Sequence, residues 1–122
     1  MTADTFIDHV ARVRARFAAN LPGKITDSFA DLEKLSGGGA GTIESMILVR
    51  RRLHEIYGIA PTLGFVATGK AARSAETAIR EAAEAKRAAT PAEIAALKSE
   101  LERLRTTATD ELQDFREGVA QS

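Results

Sequence analysis

His54 lies in the run Leu53-His54-Glu55-Ile56-Tyr57-Gly58-Ile59-Ala60-Pro61-Thr62-Leu63-Gly64. In a helix, positions i and i+4 share a face, so Gly58 is the neighbour one turn above the imidazole. Glycine inside a helix costs about 0.5–1 kcal/mol relative to alanine. A sequence that carries that cost beside a histidine suggests close approach of something to the ring. A neutral imidazole, whose ordinary pKa is about 6.5, is a usable nucleophile near pH 7. His54 with Gly58 is therefore the leading candidate for chemistry in this chain.

Other chemistries are poorly supplied. The 122 residues contain no cysteine, which removes disulfides, thiol catalysis and thiolate metal sites. The only two histidines, His9 and His54, are far apart, which argues against a histidine-based metal site. No serine is placed as an activated nucleophile beside His54. The glycine run at positions 37–41 lacks the lysine of a phosphate-binding loop, so no ATP site is expected. With 17 basic and 17 acidic residues, the chain has no general pull toward nucleic acid or an anionic membrane. Arg50-Arg51-Arg52 is a basic triplet without interleaved aromatics, and reads as a solvated face or a contact for an acidic partner. No stretch approaches the roughly 20 apolar residues of a membrane span, and no signal-peptide layout opens the chain, so a cytoplasmic location is expected.

The elements that must position His54 are helical. Apolar residues make up 44% and charged residues 28%, and alternating strand patterns are nearly absent. Phe6, Val10, Val13, Phe17, Leu21, Ile25, Phe29, Leu32 and Leu35 recur in steps of three or four. They predict one long helix over about 4–35, kinked or briefly broken at Pro22. Ser36 to Gly41 holds four glycines in six residues and predicts a flexible loop. Thr42 is the expected N-cap of a second helix with a buried stripe of Ile43, Met46, Val49, Leu53, Ile56 and Ala60, ending near Pro61. Gly64 is the expected hinge into a third helix over about 63–87, with Val66, Gly69, Ala72, Glu76, Ile79 and Ala83 in phase. Thr90-Pro91-Ala92-Glu93 carries the start signal of the last helix: a capping threonine, proline first and glutamate third. Ile94, Leu97, Leu101, Leu104, Ala108, Leu112, Phe115 and Val119 form its stripe. The fold expected is all-α: a single domain over 1–122, an antiparallel up-down four-helix bundle. His54 falls about 100° around the second helix from buried Leu53, and so should be at least partly exposed.

These residues resemble a known family. Histidine-phosphotransfer (HPt) domains of bacterial phosphorelays carry His-x-x-Lys-Gly-x-(Ser/Ala)-x-x-x-Gly on the second helix of a four-helix core. His54, Gly58, Ala60 and Gly64 match it, followed by Phe65, and the resemblance covers nearly the whole chain. It implies a phosphocarrier rather than an independent catalyst, with His54 accepting a phosphoryl group from receiver-domain aspartates and returning it. The partners implied are response-regulator receiver domains, with a hybrid histidine kinase as a further one, and the chain is expected to be a monomer. The magnesium of the reaction is expected on the receiver, with no cofactor of the chain's own. By position after the motif, the resemblance makes Glu76 the partner of the second ring nitrogen; the bland reading is an ion pair of Glu76 with Arg73 or Arg80.

One departure matters. The family commonly has lysine three residues after the histidine, and this chain has Tyr57, which offers a hydroxyl but no charge. Arg50 and Arg51, at i−4 and i−3, are the expected substitutes, with Arg73 on the third helix as another. The departure also sustains the alternative function: an HPt-like module that docks a receiver or kinase and regulates it without being phosphorylated. His9, at a helix start, is expected to be a solvated residue.

Overall fold

The computed structural model describes residues 3–37 and 41–121. Four α-helices follow one another: α1 (Ala3–Leu35), α2 (Thr42–Ile59), α3 (Val66–Ala85) and α4 (Pro91–Gln121). A 3₁₀ turn (Ala60–Leu63) joins α2 to α3. There is no strand among the described residues. α1 packs on α2 and α4, and α3 packs on the same two helices, so the four form a ring in chain order. With connections this short, neighbours must run antiparallel, which gives the up-down bundle. Its centre is filled by Leu21 and Ile25 of α1, Met46, Val49, Leu53 and Ile56 of α2, Ile79 of α3, and Leu97, Leu101 and Leu104 of α4.

α1 continues through Pro22 without a break. Pro22 lacks an N–H, so the Ala18 carbonyl loses its partner within the helix. The expected stripe of α1 is only partly buried: Phe17, Leu21, Ile25, Leu32 and Leu35 are inside, whereas Phe6 is exposed. The reason is length. α1 and α4, at 33 and 31 residues, outrun α2 and α3, at 18 and 20. Arg14 Nε donates to the Leu63 carbonyl at 2.8 Å, which marks where α2 ends alongside α1. The first turns of α1 and the last of α4 lie beyond that level, and Phe6, Ile7 and Val119 are exposed there.

Two helix starts differ from the expected ones. Gly41, not Thr42, is the N-cap of α2, in the left-handed region at φ 99°, and Thr42 is a buried first residue. Thr42 and Ser45 turn inward while Ile43 is exposed, so the buried face starts one position earlier than the stripe implied. Gly38, Gly39 and Ala40 of the expected loop lie outside the described residues. α3 begins at Val66, after the expected position 63; Gly69, Ala72, Glu76, Ile79 and Ala83 are buried as expected, whereas Val66 is exposed and Phe65 is buried in its place. The 3₁₀ turn causes this. It ends at Gly64 (φ 93°), where the Phe65 N–H reaches back to the Ala60 carbonyl at 2.8 Å and drives the Phe65 ring inward. That ring lies 5.2 Å from Phe17 and 5.6 Å from Phe115, tying α1, α3 and α4 together.

The α3–α4 connection is closed on both sides. Lys86, at φ 52°, and Arg87 return N–H groups to the Ala83 and Ala82 carbonyls and end α3. Thr90 and Glu93 then form a reciprocal capping box: Glu93 N–H donates to Thr90 Oγ1 at 3.1 Å, and Thr90 N–H to Glu93 Oε1 at 2.9 Å. α3 has no side-chain cap of its own. Glu111 of α4 takes that place, accepting from the Thr68 and Ala67 N–H groups.

Candidate functional site

The buried stripe of α2 (Met46, Val49, Leu53, Ile56) orients the rest of the helix. His54 falls one residue past Leu53 and stands on the outer surface, its side chain 65% exposed. Gly58 is exposed one turn above it. A β-carbon built there meets nothing within 4 Å, so the glycine leaves open space over the ring. Ile47, Arg50, Arg51 and His54 line a shallow recess on this face. The larger apolar groove, lined by Phe29, Leu32, Pro91 and Ile94 among others, runs between α1 and α4, away from His54.

α3 brings the carboxylate. Ala72, Ala75, Ala82 and Ala83 are buried on its inner face, and side chains this small let α3 approach α2 closely. Glu76, within this alanine-rich face, is only 3% exposed. Its Oε2 lies 3.4 Å from His54 Nδ1 and its Oε1 lies 3.6 Å from Arg50 Nε. A carboxylate accepts and cannot donate when ionised, so this contact requires the ring proton on Nδ1. Nε2, across the ring from Nδ1, then carries the free lone pair, and it has no partner among the described residues.

The arginine triplet divides three ways, because successive helical residues are 100° apart. Arg50 turns to α3 and pairs with Glu76 and, through Nη2 at 3.3 Å, with Glu84. Arg52 turns to α1, where its Nη1 reaches Asp31 at 3.1 Å and Ser28 at 3.3 Å. Arg51 faces solvent and makes no ion pair or hydrogen bond among the described residues. Arg50, expected as a cation beside His54, lines the same recess, and two carboxylates pair with it there. Tyr57 lies with its ring centre 6.0 Å from that of His54, and the Arg73 guanidinium sits 5.4 Å from the Tyr57 ring centre. Arg73 thus reaches the His54 neighbourhood through an aromatic face, and it is not the ion-pair partner of Glu76. His9 is exposed on α1, remote from this cluster in the chain.

Reading the sequence missed Glu84, which is eight residues after Glu76 and so on the same face of α3 two turns on. The i, i+8 spacing of two glutamates opposite an arginine four before His54 was the available signal. Gly69, expected in phase on α3, is buried, with Pro61 packed directly against it. Among the described residues no three His, Asp or Glu side chains come together as a metal site. No described helix is long and apolar enough to cross a membrane.

An up-down bundle that displays one histidine on its second helix, backed by a buried carboxylate from the third, defines a class of helical protein built around one exposed imidazole. The chain matches the family model described as Hpt domain over residues 3–107, and it belongs to that family. The family works in phosphotransfer in two-component signalling, and its members interact with receiver domains and histidine kinases. No curated protein and no solved structure matches the chain.

Proposed function

We propose that this chain is a phosphorelay intermediate that carries a phosphoryl group on Nε2 of His54 between the aspartates of receiver domains. The single observation that supports this most is the exposed imidazole held through Nδ1 by buried Glu76, with open space over Gly58. A receiver bearing phospho-aspartate docks over α2. The Nε2 lone pair attacks phosphorus in line with the aspartyl oxygen. The N–P bond forms, the P–O bond breaks, and the bonding pair leaves on the aspartate carboxylate. The Nδ1 proton stays in place, and the Glu76 carboxylate offsets the positive charge that develops on the ring. The reverse sequence delivers the group to the next receiver.

Phosphoryl transfer depends mostly on positioning and electrostatics. In this reading the receiver supplies the magnesium, and the chain supplies the oriented nitrogen, the space over Gly58 and the flanking cations Arg51 and Arg73. Tyr57 contributes a ring and a hydroxyl where a lysine would contribute charge. The exposed α2 surface around His54 is the docking face.

The test is incubation with a phosphorylated receiver domain followed by intact-mass measurement. One added phosphoryl group is expected, labile in acid and stable in base. His54→Gln removes it and His9→Gln keeps it. Measurable binding to several phosphorylated receivers with no mass gain would replace this reading with that of a docking module, the role that Tyr57 favours.

A further inference from the structure

We propose that Arg50 is a positioning residue of this site: it locks the Glu76 carboxylate so that the His54 proton is held on Nδ1 and Nε2 is left as the nucleophile. The inference rests on the phosphoacceptor reading of His54 and adds to it a residue that never touches the phosphoryl group.

The four side chains form one line, a neutral imidazole followed by charges of alternating sign, His54–Glu76–Arg50–Glu84, stitched back and forth between α2 and α3. Each member has a reason to be there. A carboxylate as buried as Glu76 needs a paired cation. The terminal torsion of a glutamate is broad, so one contact alone does not fix which oxygen faces the ring. Arg50 Nε on Oε1 fixes it, and leaves Oε2 for His54 Nδ1. Arg50 is itself anchored at its far end, where Nη2 meets Glu84 at 3.3 Å. That second anchor keeps the guanidinium from swinging into solvent. Arg50 and His54 are about 6 Å apart along α2, and Glu76 and Glu84 about 12 Å apart along the antiparallel α3; the Arg50 side chain reaches both glutamates and so spans the difference.

The consequence is chemical and not only structural. A free imidazole prefers its proton on Nε2, which would block the outward nitrogen. The Glu76 contact inverts that preference, and Arg50 maintains the contact. An ordinary interhelical salt bridge would affect stability and leave the tautomer alone.

The experiment is ¹⁵N NMR of the neutral His54 ring in the full chain, together with transfer from a phosphorylated receiver. In the native chain the Nδ1–H tautomer is expected to dominate, and ³¹P NMR of the phosphorylated chain should show the group on Nε2. Arg50→Gln should shift the tautomer toward Nε2–H and slow transfer by about tenfold. Arg50→Lys, which restores the charge, should recover most of both. Circular dichroism checks folding, and Arg50→Met, which keeps the apolar stem, serves if the glutamine variant does not fold. A folded Arg50→Gln or Arg50→Met chain with the native tautomer ratio and the native rate overturns the proposal. If the native chain takes no phosphoryl group while the tautomer still depends on Arg50, the phosphoacceptor reading fails and the positioning role stands. If it is phosphorylated and the tautomer ignores Arg50, only the positioning role fails.

Discussion

Pro61 lies so close to Gly69 that a β-carbon at position 69 would sit 2.6 Å from the proline Cγ and 2.8 Å from its Cδ. The 3₁₀ turn that follows α2 is thereby pressed against the first turn of α3, a few residues from the end of α2 that carries His54 and Gly58. A proline ring cannot swing aside as a long side chain can. Gly69→Ala gains up to about 1 kcal/mol in helix propensity. It loses more by overpacking, which costs about 1–3 kcal/mol in a tight site. The variant is expected to be less stable, with a lower urea midpoint. A midpoint equal to or above the native one would show that the turn yields freely.

Gly58 is the opposite case. A β-carbon there meets nothing within 4 Å, so Gly58→Ala has only the propensity term and should stabilise the fold by about 0.5 kcal/mol. A larger residue should leave the fold intact and obstruct the docked partner. Gly58→Gln is therefore expected to melt no lower than the native chain while transferring phosphate at least several-fold more slowly. Thermal melts beside stopped transfer assays separate the two effects, and a Gly58→Gln chain with native transfer would remove Gly58 from the site.

Arg50 and Arg51 are neighbours in sequence with different employment. Arg50 is held by Glu76 and Glu84, while Arg51 is exposed and unpaired among the described residues. Arg51→Glu should therefore cost no ion pair within the fold, but should place a negative charge where a phosphoryl group and an acidic receiver pocket approach. Slower transfer and a weaker salt dependence of receiver binding are expected, because exposed charges act through screened, long-range attraction. Equal binding by Arg51→Glu and the native chain across salt concentrations would exclude Arg51 from the docking face.

Glu93 supplies a pH dependence remote from the site. Hydrogen bonds from Arg87, then from the Thr90 N–H, hold its carboxyl well below the usual range, at about 2. A carboxyl depressed in the folded state stabilises above its unfolded value near 4.5 and loses that contribution as pH falls toward 2. The pair is partly open to water, so the whole shift does not convert into stability; the capping role itself is worth about 1 kcal/mol. Acid unfolding followed by circular dichroism should show a shallower slope between those pH values for Glu93→Gln. An identical acid limb would mean that the Glu93 charge contributes nothing to folding.

Much of this molecule is written locally in the chain. The capping box at Thr90 and Glu93, the proline that opens α4 and the glycine that ends the 3₁₀ turn are short-range signals, and each appears where its residue type requires. The 3.6-residue stripe of α2 likewise determined that His54 stands outside the core, because side-chain direction along a helix follows from spacing alone. What periodicity could not supply is register between helices. Whether Glu76 meets His54, or only Arg73 and Arg80 of its own helix, depends on how far α3 slides along α2, and that is set by the 3₁₀ turn, the Pro61–Gly69 contact and the Phe65 ring. The same register gives Arg50 to Glu76 and Glu84 and leaves Arg51 to solvent, a division invisible in three consecutive arginines. It also exposes Phe6 and Val119, whose stripes continue past the level at which α2 and α3 stop. An apolar residue in the correct phase is buried only where another helix lies beside it, and only the tertiary structure decides where the neighbour ends.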